Sequence, residues 1–226
     1  MTIAADNPAA FVDFQSSAGP YTITVPETAG DLVQVAVFYD RSVSSVVPTT
    51  IELTSSPAKT FSAALNRIDD IGDEEGGVQF LSNTPSPGGN VVYTVVFKNN
   101  VGTVITNAGM GICVAKIAGS SGYENSNSAQ ANTVSLTPTT APALICVIAM
   151  NAAGSSTPTN PAGYTTGGSG ATFGSAQNLI SAASLRVTTT AAQNPVSTGS
   201  TLTFIAAFAE TAGAAVNNAI FFGNVA

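Results

Sequence analysis

The sequence predicts an all-β protein, a jelly-roll-like β-sandwich built from two pseudo-repeated seven-strand halves, with two tandem Ig-like sandwiches as the alternative architecture. β-branched and aromatic residues recur with period two in short runs separated by Gly, Pro, Asn and Ser clusters. No window of helical length carries a capped 3.6-residue apolar stripe. The best window, Ala63 to Ile71, is interrupted by Asn66, Arg67 and the aspartates that follow, leaving room for one helical turn. Blocks of the first half also recur, in order, about 111 residues later.

Taken along the chain, strands are expected near 20–25, 31–39, 49–54, 59–65, 77–82, 90–98 and 109–117, then near 132–137, 143–150, 162–166, 171–174, 178–188, 201–209 and 218–222. Residues 90–98 and 201–209 are nearly continuously apolar, which predicts central strands covered on both faces.

The repeat pairs Tyr21–Pro26 with Thr133–Pro138 and Leu32–Val37 with Leu144–Ala149. Lys59–Ser62 is matched with Ala171–Gly174, residues 90–98 with 201–209, and Asn107-Ala108 with Asn218-Ala219. Residues 1–19 then read as an N-terminal arm and 20–226 as the sandwich. Its repeats, 20–117 and 132–222, are joined by a Gly-, Ser- and Asn-rich loop at 118–131. A single sandwich with shared sheets is preferred, because each half alone has few large aromatics with which to fill a separate core; the absence of Trp speaks only against antibody-type domains.

Charge narrows the partners. The net charge is −7, and the 6 basic residues are scattered singly, so neither nucleic acid nor an anionic membrane surface finds a positive footprint. The start Met1-Thr2-Ile3-Ala4-Ala5-Asp6 has no basic, apolar leader pattern, which predicts synthesis and retention in a cytosol. The longest apolar run, Ala143 to Met150, is too short to span a bilayer as a helix. Cys113 and Cys146 sit in apolar stretches and read as buried free thiols, a disulfide between them being the alternative.

With no His, the commonest general base, the Ser-His-Asp and Cys-His systems and every imidazole metal site are absent. Two lone cysteines build no structural zinc site. The tract Thr166-Gly167-Gly168-Ser169-Gly170 lacks the Lys and following helix of a phosphate loop and reads as a β-turn. The expectation is a protein that is not an enzyme, with no catalytic residue and no cofactor.

One dense charge cluster stands out: Asp69, Asp70, Asp73, Glu74 and Glu75 lie between two expected strands. Their carboxylates are the ligand type calcium takes, but the spacing is not that of an EF-hand. A solvated acidic loop that keeps a sheet edge from mispairing is the preferred reading. Tyr123 and Tyr164 fall at expected loop edges beside Asn, Ser and Gly, where an amphipathic ring either packs over a turn or contacts a sugar or protein. Phe11 and Phe14 in the N-terminal arm are the residues by which an added strand would reach a neighbouring subunit.

The opening strand pair Thr22 to Phe38 with Gly30-Asp31-Leu32-Val33, the strand Gly111-Ile112-Cys113-Val114-Ala115-Lys116 and the Pro-Ala-Gly-Tyr turn at 161–164 together resemble viral and bacterial β-sandwich surface proteins, especially accessory proteins of tailed phages. The resemblance runs nearly full length and is structural. It implies capsid decoration, head-fibre or tail-associated roles, commonly as trimers, beside other virion proteins such as the major capsid protein, in a virion assembled in the host cytoplasm. It transfers no catalytic residue. The alternative function is a carbohydrate-binding or adhesin module using loop tyrosines and asparagines.

Overall fold

A computed structural model describes residues 4–17, 19–40, 48–62, 65–69, 75–105, 108–151, 157–173 and 178–211. These residues form an all-β sandwich of thirteen strands with no helix. The first half contributes β1 (Ala4–Ser17), β2 (Tyr21–Glu27), β3 (Leu32–Asp40), β4 (Thr50–Ser56), β5 (Leu65–Asp69), β6 (Glu75–Leu81), β7 (Gly89–Lys98) and β8 (Ala108–Ala118). The second contributes β9 (Ser120–Ala129), β10 (Ala143–Asn151), β11 (Thr165–Phe173), β12 (Asn178–Val187) and β13 (Leu202–Glu210). Instead of seven strands in each half, the described residues hold eight and five.

Strand pairing is antiparallel throughout, and no sheet mixes the halves. One five-stranded sheet has the order β1-β8-β3-β6-β5, a three-stranded sheet has β2-β7-β4, and the second half forms a five-stranded sheet ordered β11-β12-β10-β13-β9. The expected sharing of sheets between halves is replaced by stacking. Read from its β9 end, the second five-stranded sheet repeats the order of the first: opening strand, closing strand, then the strand that follows the first crossing. The two are laid face to face in opposite sense, so that β1 packs on β11 and β5 packs on β9, as a two-fold axis between them would require.

Three apolar layers hold the stack together. Alternation in β2 buries Tyr21, Ile23 and Val25 and exposes Thr22 and Thr24, the pattern of a strand covered on one face. These side chains meet Val35, Val37 and Tyr39 of β3 and Tyr93, Val95 and Phe97 of β7 in the largest cluster. Aromatic rings concentrate there, with Phe97 edge-on to both Tyr21 and Tyr39 at centroid separations of 5.8 and 5.9 Å. The opposite face of β3 turns Leu32, Ala36 and Phe38 toward the second half, where they meet Leu144, Cys146, Ile148, Phe204 and Phe208. Many of the side chains at this junction are small, including Ala36, Cys113, Ala115, Ala182 and Ala206, which lets two sheets approach closely. A third layer lies on the far face of the second sheet around Ile145, Val147 and Ile205.

Several expectations are corrected by these pairings. Residues 4–17 of the expected arm form β1, which pairs with β8 of the same chain, Phe11 opposite Cys113 and Phe14 opposite Met110. The expected joining loop 118–131 is largely β9, entered directly from β8 through Gly119 at φ +72; this left-handed residue turns the chain from one sheet into the other. Residues 59–62 supply only the bridge Phe61–Ser82, and 132–137 only bridges at Thr133 and Leu136. In place of a helical turn, residues 65–69 form β5. The glycine tract is no turn: β11 runs through it as an edge strand with two register shifts against β12, irregularities that glycine accommodates.

Central strand β13 is buried on both faces as expected, as is β10. Central strand β7, by contrast, buries one face and leaves the other partly exposed, because the three-stranded sheet is an outer layer. The matching of 90–98 with 201–209 fails for the same reason: β13 lies beside β10, the place that β8 takes beside β3. The strand expected at 218–222 lies outside the described residues.

Candidate uncharged cleft

Proline placement makes the outer layer of the second half sparse. Where the first half is covered by β2-β7-β4, the second is covered by loop segments 132–137 and 193–198, joined by bridges Thr133–Val196 and Leu136–Gln193. Leu136 and Gln193 exchange two backbone hydrogen bonds of 2.9 and 2.8 Å, and Thr159 N–H donates to the Thr198 carbonyl at 3.0 Å. Pro138, Pro158, Pro161 and Pro195 offer no N–H, so a ladder cannot extend through them. Val134, Leu136, Tyr164 and Leu185 nonetheless pack on Ile145, Val147, Ile205 and Ala207, closing the core beneath.

Between residues 159–164 and the segment 193–198 lies a cleft of about 540 Å³ whose lining includes Asn160, Tyr164, Gln193, Asn194, Pro195 and Val196 and contains no charged residue. A turn over Pro161–Tyr164 delivers the aromatic ring: Tyr164 N–H donates to the Pro161 carbonyl at 3.1 Å, and Gly163 adopts φ +82, the sign that the third position of a type II turn requires. The Tyr164 hydroxyl and the Asn160 amide oxygen are both shielded from solvent and have no hydrogen-bond partner. Burial, followed by the neighbouring Cys146, pushes the Tyr164 hydroxyl up to about 12, so it remains a neutral group able to donate or accept. Val196 keeps 45% of its surface exposed at the cleft.

Of the aromatics singled out in the sequence, only Tyr164 lies in this cleft. Tyr123 lies on β9, with Phe208 as its strand partner, and packs against the cluster of Leu32, Ile117 and Leu144 between the stacked sheets. It is a packing residue on a strand, on the face of the second sheet opposite Tyr164. Asp69 pairs with Gly76, and Glu75 with Asp40, while Asp70, Asp73 and Glu74 lie outside the described residues. Cys113 and Cys146 are free and buried, as expected of apolar thiols.

No known family, curated protein or solved structure matches this chain. Function must therefore be argued from its own geometry.

Two features were hidden from sequence reasoning. Asn160, Gln193 and Val196 meet Tyr164 only because two loop segments remote in sequence are bridged; the clustered prolines were the signal that the outer ladder would break there. The other feature is a buried polar triad beneath the three-stranded sheet. Lys59 Nζ lies 2.7 Å from Glu27 Oε2, with both side chains fully buried, and the Tyr93 hydroxyl donates to the other Glu27 oxygen. A second cleft, lined by Thr28, Gly30, Asp31 and Ser120 among others, holds a carboxylate already engaged, since Asp31 accepts from Thr28 N–H at 2.9 Å.

Proposed function

We propose that this chain is a non-enzymatic structural accessory protein of a virus particle: a capsid decoration, head-fibre or tail component, acting as a trimer beside other virion proteins and assembled with the particle in the host cytoplasm. The observation that supports the reading is strand order. Successive strands β1 to β4 alternate between the five-stranded and three-stranded sheets, and β7 and β8 alternate again, which we read as a jelly-roll wrap. A second five-stranded sheet of the same order follows in the same chain. Jelly rolls recur in viral capsid and lectin domains, so the support is that of fold analogy.

Physical chemistry agrees with a role in packing. Only 8% of residues are charged, and a surface poor in long charged side chains loses less rotamer entropy on being ordered against a neighbour. Stacking also covers the inner faces of both five-stranded sheets, making a stiff block rather than two hinged domains.

Peptide mass spectrometry on virus particles purified by density gradient from the host that carries the gene tests this reading, together with sedimentation velocity of the purified protein. A trimer in solution, and this chain in the particles at a copy number divisible by three, is the expected result. A strict monomer absent from the particles overturns it.

A further inference from the structure

We propose that the cleft between segments 157–164 and 193–198 is a binding site for an uncharged saccharide. The proposal goes beyond the particle role and does not depend on it, because it rests on the cleft alone.

Four observations define the ligand's chemistry. The volume of about 540 Å³ falls in the range of small-ligand sites, roughly 300–1,000 Å³. The lining has no charge of either sign, so a phosphate, sulfate or carboxylate ligand would be desolvated there without a counter-charge. Val196, 45% exposed, lies with Pro195 and the Tyr164 ring in one wall system, giving apolar surface of the kind on which the C–H face of a pyranose packs.

The fourth observation decides between a sugar and a purely apolar ligand. The Asn160 amide oxygen and the Tyr164 hydroxyl both lie shielded and unpartnered in residues of this one cleft. A buried polar group left unmet is destabilising, and native proteins rarely leave two together without a partner for them. The amide oxygen accepts only, whereas the neutral phenol both donates and accepts. A ligand hydroxyl has both capacities and, once these half-buried side chains turn to face it, satisfies either group; an alkyl ligand satisfies neither. Polyhydroxylated and uncharged, with one apolar face, describes a neutral sugar.

Among the described residues, the first half shows no equivalent cleft over its outer layer. There the corresponding layer is the continuous sheet β2-β7-β4, whose ladder runs from Tyr21 to Glu27 along β7 and from Thr50 to Ser56 on its other side. The cleft therefore belongs to the half in which prolines interrupt the cover.

The test is a glycan array carrying neutral gluco-, galacto-, manno- and N-acetylglucosamine oligosaccharides together with sialylated and sulfated ones, followed by calorimetric titration of the best neutral hit into the whole chain. Neutral spots should bind, with a Kd on the order of 0.1–1 mM for a small, uncharged site. Tyr164→Phe, which removes one oxygen, should weaken binding about five- to tenfold. Val196→Asp should abolish it, while Val101→Asp, at a position 77% exposed outside the cleft, should leave it unchanged. Thermal unfolding of each variant checks that the fold is retained. Binding confined to anionic glycans, no binding at all, or neutral binding indifferent to both Tyr164→Phe and Val196→Asp overturns the proposal. Presence or absence of the chain in virus particles bears on the particle role and leaves this result unaffected.

Discussion

Phe38 and Phe204 face each other across the junction of the two halves, their ring centroids 5.4 Å apart and their planes inclined by 38°. Both are fully buried, one on β3 and the other on β13. Gly77 of β6 makes room for the pair: a Cβ at that position would stand 3.0 Å from Phe204 Cε2 and 3.0 Å from Phe38 Cδ1. The contact couples the halves through a fit that one methyl group would disturb.

Gly77→Val should accordingly lower stability by about 1–3 kcal/mol, the usual penalty for overpacking a filled core. Gly122→Ala, where an added Cβ meets nothing within 4 Å, should stay within about 0.5 kcal/mol of the parent. Urea midpoints at constant m-value measure both. Equal midpoints for Gly77→Val and the parent would show that the junction is looser than its geometry.

Polar pinning of the same junction gives a second prediction. Gln34 Nε2 donates to Gln79 Oε1 at 2.9 Å, and Gln79 Nε2 donates across to the carbonyls of Asn127 and Ile205 at 3.1 and 3.3 Å. Gln79→Leu should cost about 1–3 kcal/mol by leaving the Gln34 amide buried without its acceptor. The double variant Gln34→Leu with Gln79→Leu should cost less than the sum of the singles. Strict additivity in denaturation would count against the linkage.

The buried pair of Lys59 and Glu27 should behave in the manner of a desolvated ion pair. Lys59→Met strands a carboxylate and should cost about 3–5 kcal/mol, as should Glu27→Leu, which strands an ammonium; replacing both should recover most of the loss. A double-mutant cycle by chemical denaturation reads the coupling directly. A coupling near zero would mean that the pair is solvated in solution.

Alkaline pH supplies a fourth prediction. Burial, then the hydrogen bond to Glu27, raises the Tyr93 hydroxyl above its ordinary 10.0, and burial raises both cysteine thiols above 9.0. Folded-state values raised in this way leave stability unaffected below the unfolded values, where both states hold the proton. Above them only the unfolded chain releases it, so stability falls as pH rises. Unfolding free energy should decline from about pH 9 and more steeply past about pH 10, where Tyr93 and Tyr164 both contribute, and Tyr93→Phe should make the steeper part shallower. A flat profile to pH 11 would contradict the burial of all three groups.

Those thiols should also resist chemistry. A thiol-specific chromogenic reagent should label neither Cys113 nor Cys146 in the native protein at pH 8 and both after denaturation, since the reactive thiolate is suppressed and inaccessible. Rapid native labelling would expose a path into the junction.

Much of the fold was legible because burial on one face writes itself into a strand as alternation. Tyr21, Ile23 and Val25 announce β2, the run from Thr201 to Ala209 announces β13 as a strand covered on both sides, and the apolar run from Ala143 to Met150 announces β10 as a strand. Strands without that signature were lost. β9 reads Ser-Ser-Gly-Tyr-Glu-Asn-Ser-Asn-Ser-Ala and looks like a linker because, as an edge strand, it is only partly buried; its backbone partners on β13 hold it in place. β11 was seen only at its ends, near 162–166 and 171–174, because the glycines between them resemble a turn.

Of the cleft, the sequence supplied Tyr164 and the Pro-Ala-Gly turn that presents it, because a type II turn is specified by its own four residues. It could not supply Asn160, Gln193 or Val196 as neighbours of that ring, since their meeting depends on pairing between distant segments. The sequence by itself determined the all-β class, the faces of the strongly alternating strands, the buried thiols and the lack of any histidine chemistry, all properties of local pattern and composition. Only the tertiary structure decided that each half keeps its own sheets, that the halves stack through Phe38 and Phe204, and that the outer layer opens beside Tyr164. Those outcomes turn on which strands pair and which faces meet, and non-local hydrogen bonding and packing leave no periodic mark in the chain.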